Sequence, residues 1–197
     1  GEIDRLASIV KPHIGVITNI GVAHMESLGS REGIFQAKME IAKHIAGDDE
    51  LPGTLIYASD SEFLTKERTK GNYDQISVGE KGKDDYIMSS VDDFGMDGIK
   101  FTLEHAQEVR QISLPLPGRH NAINSALAVA VGDLLGISPE EETDGLAAAD
   151  LTGNRLKRRE NDSICVIDDT YNASPDSMKS ALRVLEHSRC DGKKIAI

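Results

Sequence analysis

Residues 164–178 read Ile-Cys-Val-Ile-Asp-Asp-Thr-Tyr-Asn-Ala-Ser-Pro-Asp-Ser-Met and constrain the fold more than any other stretch. The apolar run Ile164–Ile167 has the length and composition of a short buried strand, and it ends on two carboxylates, Asp168 and Asp169. A polar turn follows. Ser174-Pro175 then supplies a helix N-cap and a proline at the first helical position. Strand, acidic tip, polar turn and helix start is the order that holds a nucleotide at the carboxyl end of a parallel sheet. A solvated strand end would look the same in isolation, so the rest of the chain has to decide.

The rest of the chain alternates in the same way. Ile14–Ile17 and Thr54–Ala58 read as strands, and Ile76–Gly79 as another. Helical patterns occupy Ile34–Ile45, Asn121–Leu135, Pro139–Ala149 and 175–187, and residues 194–197 read as a further strand. Between Asp85 and Leu114 the pattern changes to apolar–polar alternation with turns at Gly95 and Gly98, as in an antiparallel meander. The expected fold is α/β, a mostly parallel sheet flanked by helices with a small antiparallel subsheet. Leu151-Thr152-Gly153 is the expected joint between a unit spanning 1–150 and a second one beginning at 151. Both ends look cut, since Ile3, Leu6 and Ile9 begin a helical pattern with no start signal and the last strand stops at Ile197.

Charge and composition narrow the function. A net charge of -11 argues against binding a nucleic-acid backbone but not against a nucleotide enzyme, where local cations and Mg²⁺ neutralise phosphate. There is no signal peptide and no run of about 18 apolar residues, so no membrane insertion is expected and a cytoplasmic location is the default. Cys165 and Cys190 lack metal-ligand spacing, and Cys165 reads as a small core residue.

Four places carry candidate chemistry. His24 follows the first strand and a glycine turn; alone it is a weak metal ligand. Lys38 falls inside the stripe Ile34, Ile41 and Ile45. A lysine there either snorkels to solvent or is partly buried, and burial lowers its pKa and frees an amine that CO₂ can carbamylate. The stripe does not choose between the two. Asn121 and Asn124, three apart at the start of a helix after Pro117-Gly118-Arg119-His120, offer paired donors and acceptors to a purine edge, or plain capping. Arg155, at the joint, could clamp a phosphate, while Lys157, Arg158 and Arg159 read as a solvated face. Gly79–Asp84 imitates a phosphate loop, yet Asp84 stands where a Ser or Thr would have to meet Mg²⁺, and it reads as a turn.

Taken together, Gly1-Glu2-Ile3, Thr18-Asn19-Ile20-Gly21-Val22-Ala23-His24, Gln36-Ala37-Lys38-Met39-Glu40, Leu116-Pro117-Gly118-Arg119-His120-Asn121 and Asp168–Met178 resemble the Mur ligase family. The resemblance runs end to end, and the last motif is most similar to members that add D-Ala-D-Ala to UDP-MurNAc-tripeptide in peptidoglycan precursor synthesis. It implies that 1–150 is a central ATPase domain lacking its upstream phosphate loop and that 151–197 begins a Rossmann-like C-terminal domain. It further implies ATP and Mg²⁺ as cofactors, with His24 and carbamylated Lys38 at the metal and Asn121, Asn124, Arg155 and Asp169 at the nucleotide. The implied reaction is amide formation through an acyl phosphate, by a monomer. Two departures stand out: Asn154 beside Arg155 where an apolar residue is usual, and Asp168 where Asn is expected. A related folate or amino-acid-polymer ligase is the same-class alternative, and a non-catalytic nucleotide-binding scaffold the different-class one. A G-x-x-G-K-[ST] motif upstream of Gly1 separates enzyme from scaffold.

Overall fold

The computed structural model describes residues 1–22, 25–151, 153–161 and 163–197, without the side chains of Glu26 and Ser27. Helix α1 (Glu2–Val10) leads into β1 (Ile14–Ile17), followed by a short α2 (Met25–Leu28) and α3 (Arg31–Met39). Then come β2 (Thr54–Ala58), β3 (Asp74–Gly79), β4 (Tyr86–Asp93), β5 (Ile99–His105) and β6 (Glu108–Leu114). Helices α4 (Arg119–Leu134) and α5 (Pro139–Ala147) precede strands β7 (Lys157–Glu160) and β8 (Cys165–Asp168) and helix α6 (Pro175–His187).

Strands β1 to β6 form one sheet in sequential order. β1 through β4 pair in parallel, and β4, β5 and β6 form the antiparallel meander that the alternation predicts. β2 is buried at all five positions because both of its faces are covered. Alternate residues point to opposite faces: Leu55 and Tyr57 pack with Ile17, Ile20, Ile34 and Phe35. Ile56 and Ala58 pack instead with Val78, Met88, Phe101 and α4. Helix α4 lies close to the sheet because Ala122, Ala126 and Ala130, four apart, present small side chains along one line, each 0% exposed.

A polar cluster ties the meander to the helices. Arg110 of β6 donates from Nη1 to Glu142 of α5 at 2.8 Å and from Nη2 to Asp133 of α4 at 2.8 Å. Tyr86 of β4 donates its hydroxyl to the other oxygen of Asp133 at 2.8 Å, with the His105 ring stacked on it at 3.8 Å. Glu142 is nearly sealed, with a side chain 7% exposed. Arg110 pairs with one of its oxygens, while Oε1 is buried with no hydrogen-bond partner among the described residues, so the carboxylate depends on that single cation.

Three expectations need correcting. Strand β8 is not buried: Ile164 is 63% and Val166 50% exposed, and Cys165 is exposed rather than a core residue. β8 pairs with β7 alone, antiparallel, so its faces have no second layer to meet. Residues 194–197 form no strand, because no described strand offers them a ladder. The helix at Ile34–Ile45 divides, with α3 ending at Met39 and tightening into a 3-10 turn over Glu40–His44. Ile45 stays buried across that change, since a tighter turn still keeps it on the core side.

Candidate active site

The loop leaving β1 is held from above by α3. Ser30 caps that helix by accepting the Gly33 N–H at 3.0 Å, which fixes where its side chains project. From the first turn, Arg31 donates to the Ile20 carbonyl at 3.1 Å. From the last turn, Lys38 donates Nζ to the Asn19 carbonyl at 2.5 Å. Lys38 is half-buried, and burial pushes its pKa below the ordinary 10.5. Its acceptor among the described residues is a neutral carbonyl rather than a carboxylate. His24 lies outside the described residues.

Helix α6 reaches the same loop. A methyl group on Gly21 would lie 3.6 Å from Asp176 Oδ2, so the first turn of α6 stands beside the segment that Lys38 and Arg31 hold. Ser174 caps α6, accepting the Ser177 N–H at 3.2 Å, with Pro175 at the first helical position as the sequence indicates.

The start of α4 forms a second group. Gly118 has φ +90, a conformation that side chains other than glycine rarely adopt, and it turns the chain into the helix. Asn121 is buried and donates its amide to the Pro117 carbonyl at 2.7 Å, whereas Asn124 is exposed one turn on. His120 lines a cavity wall, and desolvation of its ring lowers its pKa, opposed by the charges of Asp169 and Asp93.

In the 151–197 segment Asp169 accepts the Leu156 N–H at 3.2 Å, and Arg155 lies 4.3 Å above the Tyr171 ring. Asp168 is occupied locally, accepting from Thr170 N–H and Oγ at 3.2 and 2.7 Å and from Arg159 at 3.3 Å. Its pKa is lowered, mainly by the Thr170 hydroxyl.

Between the α4 start, β4 and α6 lies an open cavity of ≈ 630 Å³. Arg119, His120 and Ile123 line one side, Arg183 and His187 of α6 another, and Asp60 and Glu80 the end. None of Lys38, Asn121, Asn124, Arg155 and Asp169 lines it. The structure thus gathers Lys38, the β1 loop and the start of α6 in one place, and His120 with Asp169 in another. The sequence reading overlooked His120, His187 and Arg183. His120 was within reach, since it sits in the Gly-Arg-His-Asn run; the two α6 residues have no local signal. Among the described residues, no three His, Cys, Asp or Glu side chains are grouped as a metal cage.

The chain thus combines a six-stranded sheet, parallel from β1 to β4 with an antiparallel extension, and a lysine-held loop after its first strand. Residues 1–132 match the Mur ligase middle domain, and the chain belongs to the Mur ligase family. It is 38% identical over 198 residues to the UDP-N-acetylmuramoyl-tripeptide–D-alanyl-D-alanine ligase of Bacillus subtilis (strain 168), covering 100% of this chain and 41% of that protein. The enzyme of the same name from Mycobacterium leprae is 34% identical, covering 94% of this chain and 38% of the relative. A crystal structure of MurF from Acinetobacter baumannii superposes with a TM-score of 0.85 at 34% identity, over 95% of this chain and 40% of that one. MurF from Thermotoga maritima in complex with ADP gives 0.79 at 26% identity, over 95% and 42%. The chain spans about two-fifths of the length of these relatives.

Proposed function

We propose that the protein carrying this chain is an ATP-dependent ligase that joins D-Ala-D-Ala to UDP-MurNAc-tripeptide. The observation that supports this most directly is Lys38: a half-buried amine of lowered pKa, pinned on the Asn19 carbonyl in the loop after β1. A neutral amine adds to CO₂, forming an N–C bond and releasing a proton, and leaves a long carboxylate where the ammonium stood. That donor set fits Mg²⁺, which takes oxygen ligands. Carbamylated Lys38 and His24 would hold the ion, which when bound neutralises charge on phosphoryl oxygens.

The chain's own residues then position rather than react. In this reading Asn121 and Asn124 meet the nucleotide base from α4, while Arg155 and Asp169 reach the nucleotide from the 151–197 segment. The tripeptide carboxylate takes the γ-phosphoryl group, ADP leaves, and the D-Ala-D-Ala amine displaces phosphate from the acyl phosphate. Phosphoryl transfer of this kind depends on alignment and charge neutralisation, so no nucleophile–base pair is required of the protein. Residues 1–150 act as the central ATPase domain and 151–197 as the start of a C-terminal domain that completes the site on closing. No described helix is long and apolar enough to cross a membrane, and we place the enzyme in the cytoplasm as a monomer.

Phosphate release by the full-length protein tests the assignment. Release should require UDP-MurNAc-tripeptide together with D-Ala-D-Ala; release with folate and glutamate instead would refute it.

A further inference from the structure

At the carboxyl ends of β2 and β3, three oxygens crowd the bare α-carbon of Gly79. A methyl group there would lie 2.2 Å from Ser59 Oγ, 2.7 Å from Asp84 Oδ2 and 3.3 Å from Asp60 Oδ1. These oxygens come from two different strand ends, so the fold brings them together. Ser59 is 8% exposed, and its Oγ has no hydrogen-bond partner among the described residues. A hydroxyl in a dry setting that neither donates nor accepts is unusual, because buried polar groups are paired almost without exception.

The local charge is only partly balanced. Lys81 is the nearest cation, and its Nζ is engaged by the Ser59 carbonyl at 2.8 Å. It faces two carboxylates, Asp60 and Asp84. Arg119 is taken by Glu80 at 2.6 Å. Asp84 accepts the Lys81 N–H at 3.0 Å, and Asp60 accepts the Glu80 N–H, which orients both carboxylates and leaves lone pairs on each. Burial, with Glu80 and Asp84 nearby, pushes the Asp60 pKa up, as expected where negative charge lacks enough counter-charge.

We propose that Ser59 Oγ, Asp60 Oδ1 and Asp84 Oδ2 form a binding site for a hard divalent cation of the magnesium or calcium class. All three donors are oxygen and two are anionic, which suits those ions and not the softer metals that seek nitrogen or sulfur. The site lies on the loops after β2 and β3, apart from the β1 loop that carries Lys38. Since Asp60 also lines the open cavity, a bound ion would stiffen one end of that cavity's wall.

Isothermal titration of nucleotide-free full-length protein with CaCl₂ and with MgCl₂ tests this, in a Lys38→Ala background that removes the anionic one of the two ligands, Lys38 and His24, proposed for the other ion. One equivalent should bind, weakened at least tenfold by Ser59→Ala and abolished by Asp84→Asn. Absence of binding in the Lys38→Ala background, or a Ser59→Ala isotherm within twofold of its parent, would overturn the proposal. Asp84→Asn also weakens the turn through Lys81, so it could fail to fold; Ser59→Ala then decides alone. The Ser59 hydroxyl makes no hydrogen bond among the described residues that the substitution would remove. Added CaCl₂ should raise the Tm of the parent and leave that of Ser59→Ala unmoved.

Discussion

The Lys38 amine meets the Asn19 carbonyl at 2.5 Å, spanning 19 residues of sequence to join the end of α3 to the loop after β1. Replacing Lys38 by alanine in the full-length ligase should lower kcat roughly 100-fold or more, the scale set by removing one preorganised charged contact in a transition state. Small carboxylates such as acetate should restore part of the activity, because they can stand where the carbamate does. Steady-state assays with and without additive check this, and an alanine variant of full activity would dispose of the carbamylation.

His120 predicts a pH dependence of stability. Desolvation of the ring lowers its pKa in the folded chain below the ordinary 6.5, so between those two values the unfolded chain binds more protons. Stability should therefore rise with pH through that window and level off above 6.5. Urea unfolding at several pH values between 4.5 and 7.5 measures the slope, and His120→Asn should flatten it.

Arg110 holds three carboxylates, Glu108, Asp133 and the nearly sealed Glu142. Arg110→Ala leaves that charge without its partner and should cost about 3–5 kcal/mol. Arg110→Met with Glu142→Leu should recover much of the loss. Denaturant midpoints of the three variants provide the comparison.

Gly95 sits in the turn between β4 and β5 with φ +63, and a methyl there would lie 2.3 Å from the Ser188 backbone nitrogen at the end of α6. Met96 N–H donates to Ser188 Oγ at 3.1 Å, and His187 approaches Asp93 at 3.2 Å. Gly95→Ala should push α6 off this corner. Hydrogen exchange should quicken in 175–187 while the core strands β2 and β5 keep their protection.

How much of this was legible in the sequence depends on how local the signal is. β1 and β2 are read to the residue because a short, nearly continuous apolar run stops at polar or turn residues on both sides. The α6 start is equally plain, since Ser174-Pro175 caps a helix by local hydrogen bonding alone. Burial of Cys165 and Val166 was misread because burial needs a second layer, and no local pattern reports whether one arrives. The Ile34–Ile45 stripe marks a continuous apolar side but not the type of helix beneath it, so the tightening after Met39 was invisible. Asn121 and Asn124 have helical spacing that suggests a shared face, yet only the fold shows Asn121 turned back to Pro117. The roles of His187 and Arg183 depend on where α6 docks, which is long-range information.

The central claim is the transfer of phosphate through the tripeptide carboxylate, and an isotope measurement reaches it most directly. UDP-MurNAc-tripeptide carrying ¹⁸O in the carboxylate that is joined to D-Ala-D-Ala is turned over by the full-length protein with ATP. Formation of an acyl phosphate predicts one ¹⁸O in each phosphate released, read by mass spectrometry, with the remaining label in the new amide. Amide product accompanied by unlabelled phosphate would contradict it.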